Sequence, residues 1–188
     1  YPLARMDFRG RDTIFAIILA TLMIPETVTM VPNFLTVTWL HRNTPVPWLN
    51  NWLSLTVPFL TSAFSIFLLR QFMRGIPNDL WEAARIDGAG HVRFLFRIVL
   101  PLCRPPLLTV GMFTFIGSWN SLAWPLLVTN SSDWRPISVG LQQFVSEAGA
   151  EINLQMAGAV IATIPVLIVY FLIQKEFTEG ISMSGLKG

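Results

Sequence analysis

Charged residues are almost absent from four stretches of this chain, and each stretch is long enough to cross a bilayer. A spanning helix needs about 20 mostly apolar residues. With 13% charged residues and a mean hydropathy of +0.55, the 188-residue chain is too apolar for one soluble core. The sequence therefore predicts an all-α, polytopic membrane helix bundle with four transmembrane helices. They lie at about Thr13 to Leu40, within Asn43 to Leu69 from about Asn51, from near Pro105 to Ser132, and at Ile152 to Gln174.

Each predicted span contains at least one proline. A proline kinks a helix, and membrane proteins tolerate it where neighbouring groups satisfy the freed carbonyl. We therefore expect bent or interrupted helices in this bundle. The prolines concerned are Pro25, Pro32, Pro58, Pro125 and Pro165.

The basic residues fall mainly on one side of the predicted spans. Three arginines precede the first span, six lie between the second and third, and two lysines follow the fourth, which leaves only Arg42 and Arg135 on the other side. An excess of Lys and Arg marks cytoplasmic loops, so we expect a cytoplasmic C-terminus. This topology also explains the isoelectric point near 9.1 and makes a nucleic-acid partner unnecessary.

The basic loop at residues 75–101 contains a short predicted helix. Asp79 and Glu82 have the spacing of a capping box, with Asp in the Ser/Thr position. Gly88 suits a helix end that requires a left-handed residue. The predicted helix runs from about Leu80 to Asp87, and a helix of about two turns needs packing against another surface to be stable.

The side chains of this short helix differ in size. Ala83 and Ala84 are small and let another surface approach the backbone closely, whereas Trp81 and Ile86 offer apolar anchors.

A second predicted helix follows from about His91 to Leu100, and we expect Pro101 to end it. Its Arg93 and Arg97 share one face by their i,i+4 spacing. Its opposing apolar face consists of Phe94, Leu95 and Ile98.

One spaced signature spans the whole loop. It consists of Glu82-Ala83-Ala84, Gly88 after three residues, and Ile98-Val99-Leu100-Pro101 after nine more. This pattern resembles the cytoplasmic signature of permease subunits of binding-protein-dependent ABC importers. A surface loop whose arginines meet lipid headgroups would explain neither the alanine pair nor the glycine spacing.

The resemblance covers nearly the whole chain and favours the carbohydrate branch of the family, close to the maltose and glycerol-phosphate types. That family has six spans, so the resemblance implies that the first span and most of the second are missing here. Tyr1 in place of an initiator methionine agrees with a fragment. The matching segments include Met23-Ile24-Pro25, Arg70-Gln71-Phe72, Ile76 to Leu80, Ile86 to Ala89, Trp119-Asn120, Trp124-Pro125, Val139 to Leu141 and Leu186 to Gly188.

The resemblance implies that residues 1–188 belong to the transmembrane domain of an importer in a bacterial or archaeal cell membrane. The implied partners are ATP-binding ATPase subunits, a second permease subunit, an extracytoplasmic solute-binding protein and the lipid bilayer. The short helix is implied to enter a groove on an ATPase subunit. The residues implied in this docking are Glu82, Ala83, Ala84, Asp87 and Gly88.

Nothing in the sequence indicates an enzyme, a cofactor or a metal site. The phosphate-binding pattern of ATPases needs Lys and then Ser or Thr after its second glycine, whereas Leu186-Lys187 follows Gly185. His41 and His91 lack metal-ligand spacing. Cys103 is the only cysteine, which excludes an internal disulfide and indicates an apolar packing residue.

Glu26 is the one carboxylate well inside a predicted span, where an ionisable residue is a functional candidate. It faces the translocation path, or else the Pro25 kink brings it near the outer interface or a polar neighbour. Other polar and aromatic residues could line a route for sugars, but Trp also forms interfacial belts and Ser or Asn also joins helices. These candidates are Asn33, Ser62, Ser65, Trp119, Asn120 and Trp124.

The outer segment from Asn130 to Asn153 is too long for a tight turn. Leu141, Phe144 and Val145 have helical spacing. We expect a helix that either meets the binding protein or packs on the spans.

Sugar or oligosaccharide import is the main functional hypothesis. The same architecture could carry a polyol, a glycerol phosphate or an osmolyte. A secondary transporter would need several intramembrane carboxylates for ion coupling, and a structural or assembly protein would leave the spaced signature unexplained.

The predicted topology places Asn78 and Ser132 on opposite sides of the membrane. Single cysteines at these positions, in a Cys103→Ser background, should react with an impermeant thiol reagent from opposite faces of right-side-out and inside-out vesicles. Labelling of both cysteines from one face would contradict four spans.

Overall fold

All regular structure in the computed structural model, which describes residues 1–146 and 152–182, is helical. The predicted all-α fold is confirmed. The α-helices within these ranges are α1 (Pro2–Arg5), α2 (Arg11–Ala20), α3 (Glu26–Asn43), α4 (Trp52–Thr56), α5 (Ala63–Arg74), α6 (Asp79–Ile86), α7 (His91–Phe94), α8 (Leu100–Leu102), α9 (Arg104–Trp119), α10 (Ala123–Val128), α11 (Ile137–Ser146) and α12 (Ile152–Ser182). Short 3₁₀ turns cover Thr21–Met23, Val57–Phe59 and Ser132–Trp134, and a π-helical turn covers Leu95–Val99.

One described helix is long and apolar enough to cross a membrane alone, through Ile152–Gln174 of α12. Three further pairs of helices meet the same requirement only if each interrupted pair counts as one span, which would give up to four. The count of four spans therefore stays a prediction. The pairs are Arg11–Met23 with Glu26–Asn43, Trp52–Phe59 with Ala63–Arg74, and His91–Leu102 with Arg104–Trp119.

Prolines account for two of these interruptions. Pro25 occupies the N-cap of α3 with φ −59° and ψ 138°, an extended conformation that separates α3 from the preceding turn. Pro58 lies in the 3₁₀ turn that follows α4. Pro32 and Pro165, by contrast, lie inside α3 and α12 without ending them.

The helices form two compact units. The first unit comprises Tyr1–Met23 and Ser62–Gly111, together with the end of α12 from Lys175. The second comprises Ile24–Thr61 and Met112–Gln174.

The core of the first unit surrounds the loop that carries the spaced signature. Its buried members come from α5, α6, α7, the π-helical turn, the connection between α5 and α6, and the residue between α8 and α9. Phe94 and Val99 are almost completely buried there. The full set of buried core residues is Met73, Ile76, Ala84, Phe94, Val99 and Cys103.

A buried arginine joins α5 to α1 and α2 in the same unit. The Arg70 guanidinium, 6% exposed, donates from Nε to the Leu3 carbonyl at 2.8 Å and pairs with the Asp12 carboxylate. It also lies 3.7 Å from the centroid of the Phe15 ring, a cation–π contact. Phe15 stacks in turn on Phe67 of α5. These contacts fix the helix that leads into the signature loop.

The core of the second unit forms around Trp124 of α10. Its indole Nε1 donates to the Ser54 carbonyl at 2.8 Å, and its ring meets the Phe59 ring edge-on. Val37 and Val128 complete the buried cluster. A buried indole needs a partner for its N–H, and here a carbonyl of α4 supplies it.

The segment between α4 and the preceding helix is tied to the chain after α10. Asn50, at φ 52°, accepts hydrogen bonds on Oδ1 from the amides of Asn130 and Ser131 at 2.8 and 3.0 Å. Asparagine tolerates this left-handed backbone better than most residues. The contacts place residues 130 and 131 beside the start of α4.

The predicted outer helix is present as α11, and it packs on α12. A side-chain Cβ added at Gly158 would lie 2.5 Å from Cδ2 of Leu141, so the glycine lets the two helices approach closely. Phe144 remains partly exposed, whereas the side chain of Val145 and residues 147–151 lie outside the described part. A contact of α11 with a binding protein stays a prediction.

The Arg70 contacts predict an asymmetry between two arginines of α5. Arg70→Gln should lower the free energy of unfolding by about 2 kcal/mol, because the cation–π contact and charge-assisted hydrogen bonds are lost. Arg74→Gln removes an exposed charge and should change it by less than about 0.5 kcal/mol. Thermal unfolding of the purified proteins measures both, and equal losses would contradict the assigned role of Arg70.

Candidate functional site

The short helix of the signature loop begins one residue earlier than expected. It runs over Asp79–Ile86, with Asn78 at the N-cap and no side-chain hydrogen bond to the cap. The expected capping box of Asp79 with Glu82 is therefore wrong, because Asp79 already lies within the first helical turn. Both carboxylates instead lie near the positive end of the helix dipole, which favours negative charge.

The C-terminal end of α6 explains the spacing of the signature. Gly88 has φ +74°, as expected for a left-handed residue. The amide of Ala89 donates to the Ala84 carbonyl at 2.8 Å, and that of Gly88 to the Arg85 carbonyl at 3.0 Å. This pair of bonds is the Schellman motif, which commonly includes an apolar contact between the residues at the positions of Ala84 and Ala89. Ala84 is buried and Ala89 packs on the same cluster.

An aromatic stack fixes α6 to the next helix. The Trp81 ring lies parallel to the His91 ring with centroids 4.3 Å apart, and meets Phe94 edge-on at 5.0 Å. The Tyr1 hydroxyl lies 2.9 Å from Nδ1 of His91, a hydrogen bond that orients the imidazole. Trp81 thus anchors α6 within its own chain.

Residues from the start of the chain also brace the loop. Arg5 donates from its guanidinium to the carbonyls of Ile76 and Pro77, at 2.7 and 3.4 Å. Tyr1 and Ala4 pack on the buried cluster of the first unit. Sequence reasoning missed these contributors, because no local pattern links positions 1–5 to positions 76–91.

The spaced residues of α6 divide between the inside and the outside. Ala84 is buried and Gly88 shapes the helix end, so both act within this chain. Glu82, Ala83 and Asp87 are exposed. Ile86 is 88% exposed, and its i,i+3 and i,i+4 spacing places it on one face with Ala83 and Glu82. This exposed face, with an apolar side chain beside a carboxylate, is the part of α6 that the described residues leave uncovered.

The charges on this face are not neutralised within the described residues. None of the ion pairs found there involves Glu82, Arg85 or Asp87. Their charges are therefore unpaired within the described part of the chain.

The second helix of the loop is longer than expected. Pro101 does not end it: α7 continues through the π-helical turn into α8, and the break comes after Leu102. In a regular α-helix the ring of Pro101 would clash with the carbonyl of Arg97. The wider π turn includes Arg97 and accommodates the proline.

Cys103 has the packing role that its apolar surroundings in the sequence indicated. Cys103 belongs to the buried cluster, and burial raises the pKa of its thiol above the ordinary value. No group of three or more His, Cys, Asp or Glu in the described part of the chain is placed to hold a metal ion.

Some of the predicted path residues share a cleft in the second unit. The cleft has a volume of about 260 Å³. Glu26 and Asn33 line it from α3, two turns apart, and the largely buried Trp124 is also on its wall. The residues of interest on its wall are Glu26, Thr29, Asn33, Phe59, Ser121 and Trp124.

The remaining path candidates have structural roles in their own units. Ser62 is the N-cap of α5, and its Oγ accepts from the amide of Ser65 at 3.3 Å. Trp119 donates from Nε1 to the Ala162 carbonyl of α12 at 2.9 Å, and the Asn120 amide donates to Ile116 of its own helix. None of the three is on the wall of the cleft.

Residues 2–182 match the family described as the binding-protein-dependent transport system inner membrane component. The chain belongs to this family of transport-system permeases, as its spaced signature indicated. A family of this kind is a membrane component of transport systems and not a family of enzymes.

The curated relatives include sugar-system permeases. The chain is 34% identical, over its full length, to the arabinooligosaccharides transport system permease protein AraQ of Bacillus subtilis, of which it spans 65%. It is 37% identical over 93% of its length to the sn-glycerol-3-phosphate transport system permease protein UgpE of Brucella abortus, of which it spans 60%.

A solved structure shares the fold. The chain superposes with a TM-score of 0.78 and 29% identity on a chain of a bacterial ABC transporter involved in the import of the acidic polysaccharide alginate. The match covers 94% of this chain and 65% of the other.

The helix-ending role of Gly88 is testable with one methyl group. Gly88→Ala adds a Cβ that meets nothing within 4 Å, so its effect is the strain of φ +74°, about 1–2 kcal/mol. The amide of Ala89 should exchange about 5–30-fold faster in hydrogen-exchange measurements. Gly90→Ala, at an extended φ of −82°, should leave that rate unchanged. Equal effects of the two variants would contradict this role.

Proposed function

We propose that this chain is a transmembrane permease subunit of an ATP-driven importer. In this proposal residues 1–188 belong to the transmembrane domain and residues 75–101 form its cytoplasmic coupling loop. ATP hydrolysis takes place on separate ATPase subunits. A second permease subunit completes the pore, and an extracytoplasmic binding protein delivers the solute. The protein lies in a bacterial or archaeal cell membrane with its C-terminus in the cytoplasm.

The exposed face of α6 is the observation that carries the proposal. A helix of eight residues is too short to be stable alone, yet its buried side is held by Trp81 and Ala84. That internal support leaves Glu82, Ala83 and Ile86 free to contact an ATPase subunit. An exposed apolar side chain, Ile86, next to a carboxylate, Glu82, can fit an apolar groove on a partner that also offers a positive charge.

The same core supports a mechanical link. The buried cluster includes Met73 of α5, and Leu107 of α9 packs against it. A displacement of α6 would therefore be transmitted through tightly packed side chains to the helices on both sides of the loop, since a packed interior deforms little. Closure of the ATPase pair would in this way switch the spans between inward-facing and outward-facing states.

A sugar or oligosaccharide is the proposed cargo. Support comes from the relatives, which include a permease of an arabinooligosaccharide transport system, and from the residues that resemble the carbohydrate branch. Glycerol phosphate, a polyol or an osmolyte is the alternative, and the sn-glycerol-3-phosphate relatives favour the first of these.

Charge and shape changes on the exposed face of α6 test the docking. Glu82→Lys and Ile86→Asp should each reduce co-purification of the ATPase subunit at least tenfold and abolish coupled uptake, because the changed side chains meet the partner. The permease should still be inserted in the membrane.

Val92→Asp is the matched control for this experiment. Val92 is 71% exposed in the same loop but lies on α7, so its replacement should leave association intact. Undiminished association and uptake in both α6 variants would refute the docking assignment.

A further inference from the structure

We propose that the cleft at the start of α3 binds neutral, hydroxyl-bearing solutes and discriminates against solutes with phosphate or carboxylate groups. This inference rests on the proposed importer function and narrows its cargo. It concerns the cleft of about 260 Å³, which is small for a ligand site and suits one sugar ring or a short polyol at a time.

The polar groups of the cleft match hydroxyls. The Glu26 carboxylate only accepts hydrogen bonds, whereas the Asn33 amide both donates and accepts. No hydrogen bond or ion pair of the Glu26 carboxylate is found in the described part of the chain. Because Asn33 follows Glu26 by seven residues, the two lie on one face of α3, about 10 Å apart along its axis. A polyhydroxylated solute can donate to one and bond to the other.

An aromatic ring supplies the apolar side of the cleft. Phe59 is 42% exposed and is one of the residues of the cleft wall. Trp124, one of the path candidates from the sequence, is only 5% exposed, and its N–H is already bonded to the Ser54 carbonyl. Phe59 is therefore the ring available to the C–H face of a sugar.

The charge of the cleft sets the solute class. Glu26 is the only charged residue on the described wall, and no Lys or Arg accompanies it. At contact distance a second negative charge would lose roughly fivefold in binding at the dielectric constant of water, and more where water is excluded. Anionic recognition ordinarily uses Arg, Lys or backbone N–H groups, so this wall disfavours anionic solutes.

Thiol chemistry at Asn33 measures the charge of the cleft. The experiment uses the assembled importer, with Asn33→Cys and Cys103→Ser, in permeabilised vesicles. The cysteine at position 33 is labelled with a cationic or an anionic methanethiosulfonate, and the rate of labelling is measured. Rates would be normalised to those of free cysteine. With Glu26 present, the normalised cationic rate should exceed the anionic rate roughly fourfold, as two unit charges about 10 Å apart in water imply. Glu26→Gln keeps the size and should bring the ratio to about one.

Matched solutes then test what the cleft accepts. Glycerol is compared with sn-glycerol 3-phosphate, and a neutral disaccharide with a uronic-acid disaccharide. The neutral member of each pair should slow labelling of the cysteine more than its anionic counterpart does. Glu26→Gln should reduce this difference in protection between the neutral and the anionic solute. Without the added cysteine, Glu26→Leu should reduce uptake more than Glu26→Gln does.

Three results would overturn the inference. The first is a ratio of cationic to anionic labelling rates that Glu26→Gln does not change. The second is protection from labelling by the anionic solutes that equals or exceeds that by the neutral solutes. The third is a cysteine at position 33 that reacts with neither reagent in the assembled importer. ATP hydrolysis stimulated by the binding protein reports separately on the importer. If the binding protein does not stimulate ATP hydrolysis but the cleft still discriminates between charges, only the proposed importer function is contradicted. If the binding protein stimulates ATP hydrolysis but the cleft does not discriminate between charges, only this inference is contradicted.

Discussion

The arrangement of the signature loop depends on the burial of Ala84 and on the left-handed Gly88, which ends α6. The hydrogen bonds of a helix as short as α6 do not compensate for the conformational entropy lost when the helix nucleates. The Schellman bonds close its last turn and bring Ala89 to the apolar side of Ala84. Trp81 then fixes the other end of the same face on His91 and Phe94. Without this inner side, the outer face would have no defined orientation to offer a partner.

This division changes how the signature is interpreted. Its alanine pair serves two purposes, since Ala84 must be small to fit the core and Ala83 is small on the exposed face. Gly88 is required by its backbone conformation, and within the chain a Cβ there would meet nothing within 4 Å. Its contact with a partner stays a prediction. The exposed Ile86, which the signature does not contain, is the largest apolar contribution that α6 leaves uncovered. Spacing in a motif can thus record internal folding requirements as strongly as contacts with a partner.

Local patterns predicted local features well. The apolar stretches indicated the helical fold, Pro25 and Pro58 indicated two interruptions, and Gly88 indicated the end of α6. The errors arose where packing prevails over local preference. Asp79 was expected to cap α6 but is helical, and Pro101 is tolerated because a π turn precedes it. The roles of Tyr1, Arg5 and Arg70 could not be predicted, since they act through contacts about 60 to 90 positions distant in sequence.

The hydrogen-bond partners of the polar residues in the apolar segments are explained by the free-energy penalty for leaving a buried polar group without a partner. Where water is scarce, an indole or amide N–H needs a carbonyl partner. Trp119 and Trp124 find theirs in neighbouring helices, and Asn120 finds its partner one turn back. Their hydrogen bonds therefore contribute to packing. The Glu26 carboxylate cannot be satisfied by carbonyls, because it has no proton to donate when ionised. It needs a hydrogen-bond donor or a cation instead, and neither is found for it in the described part of the chain. It begins its helix on the wall of a cleft that a partner can enter.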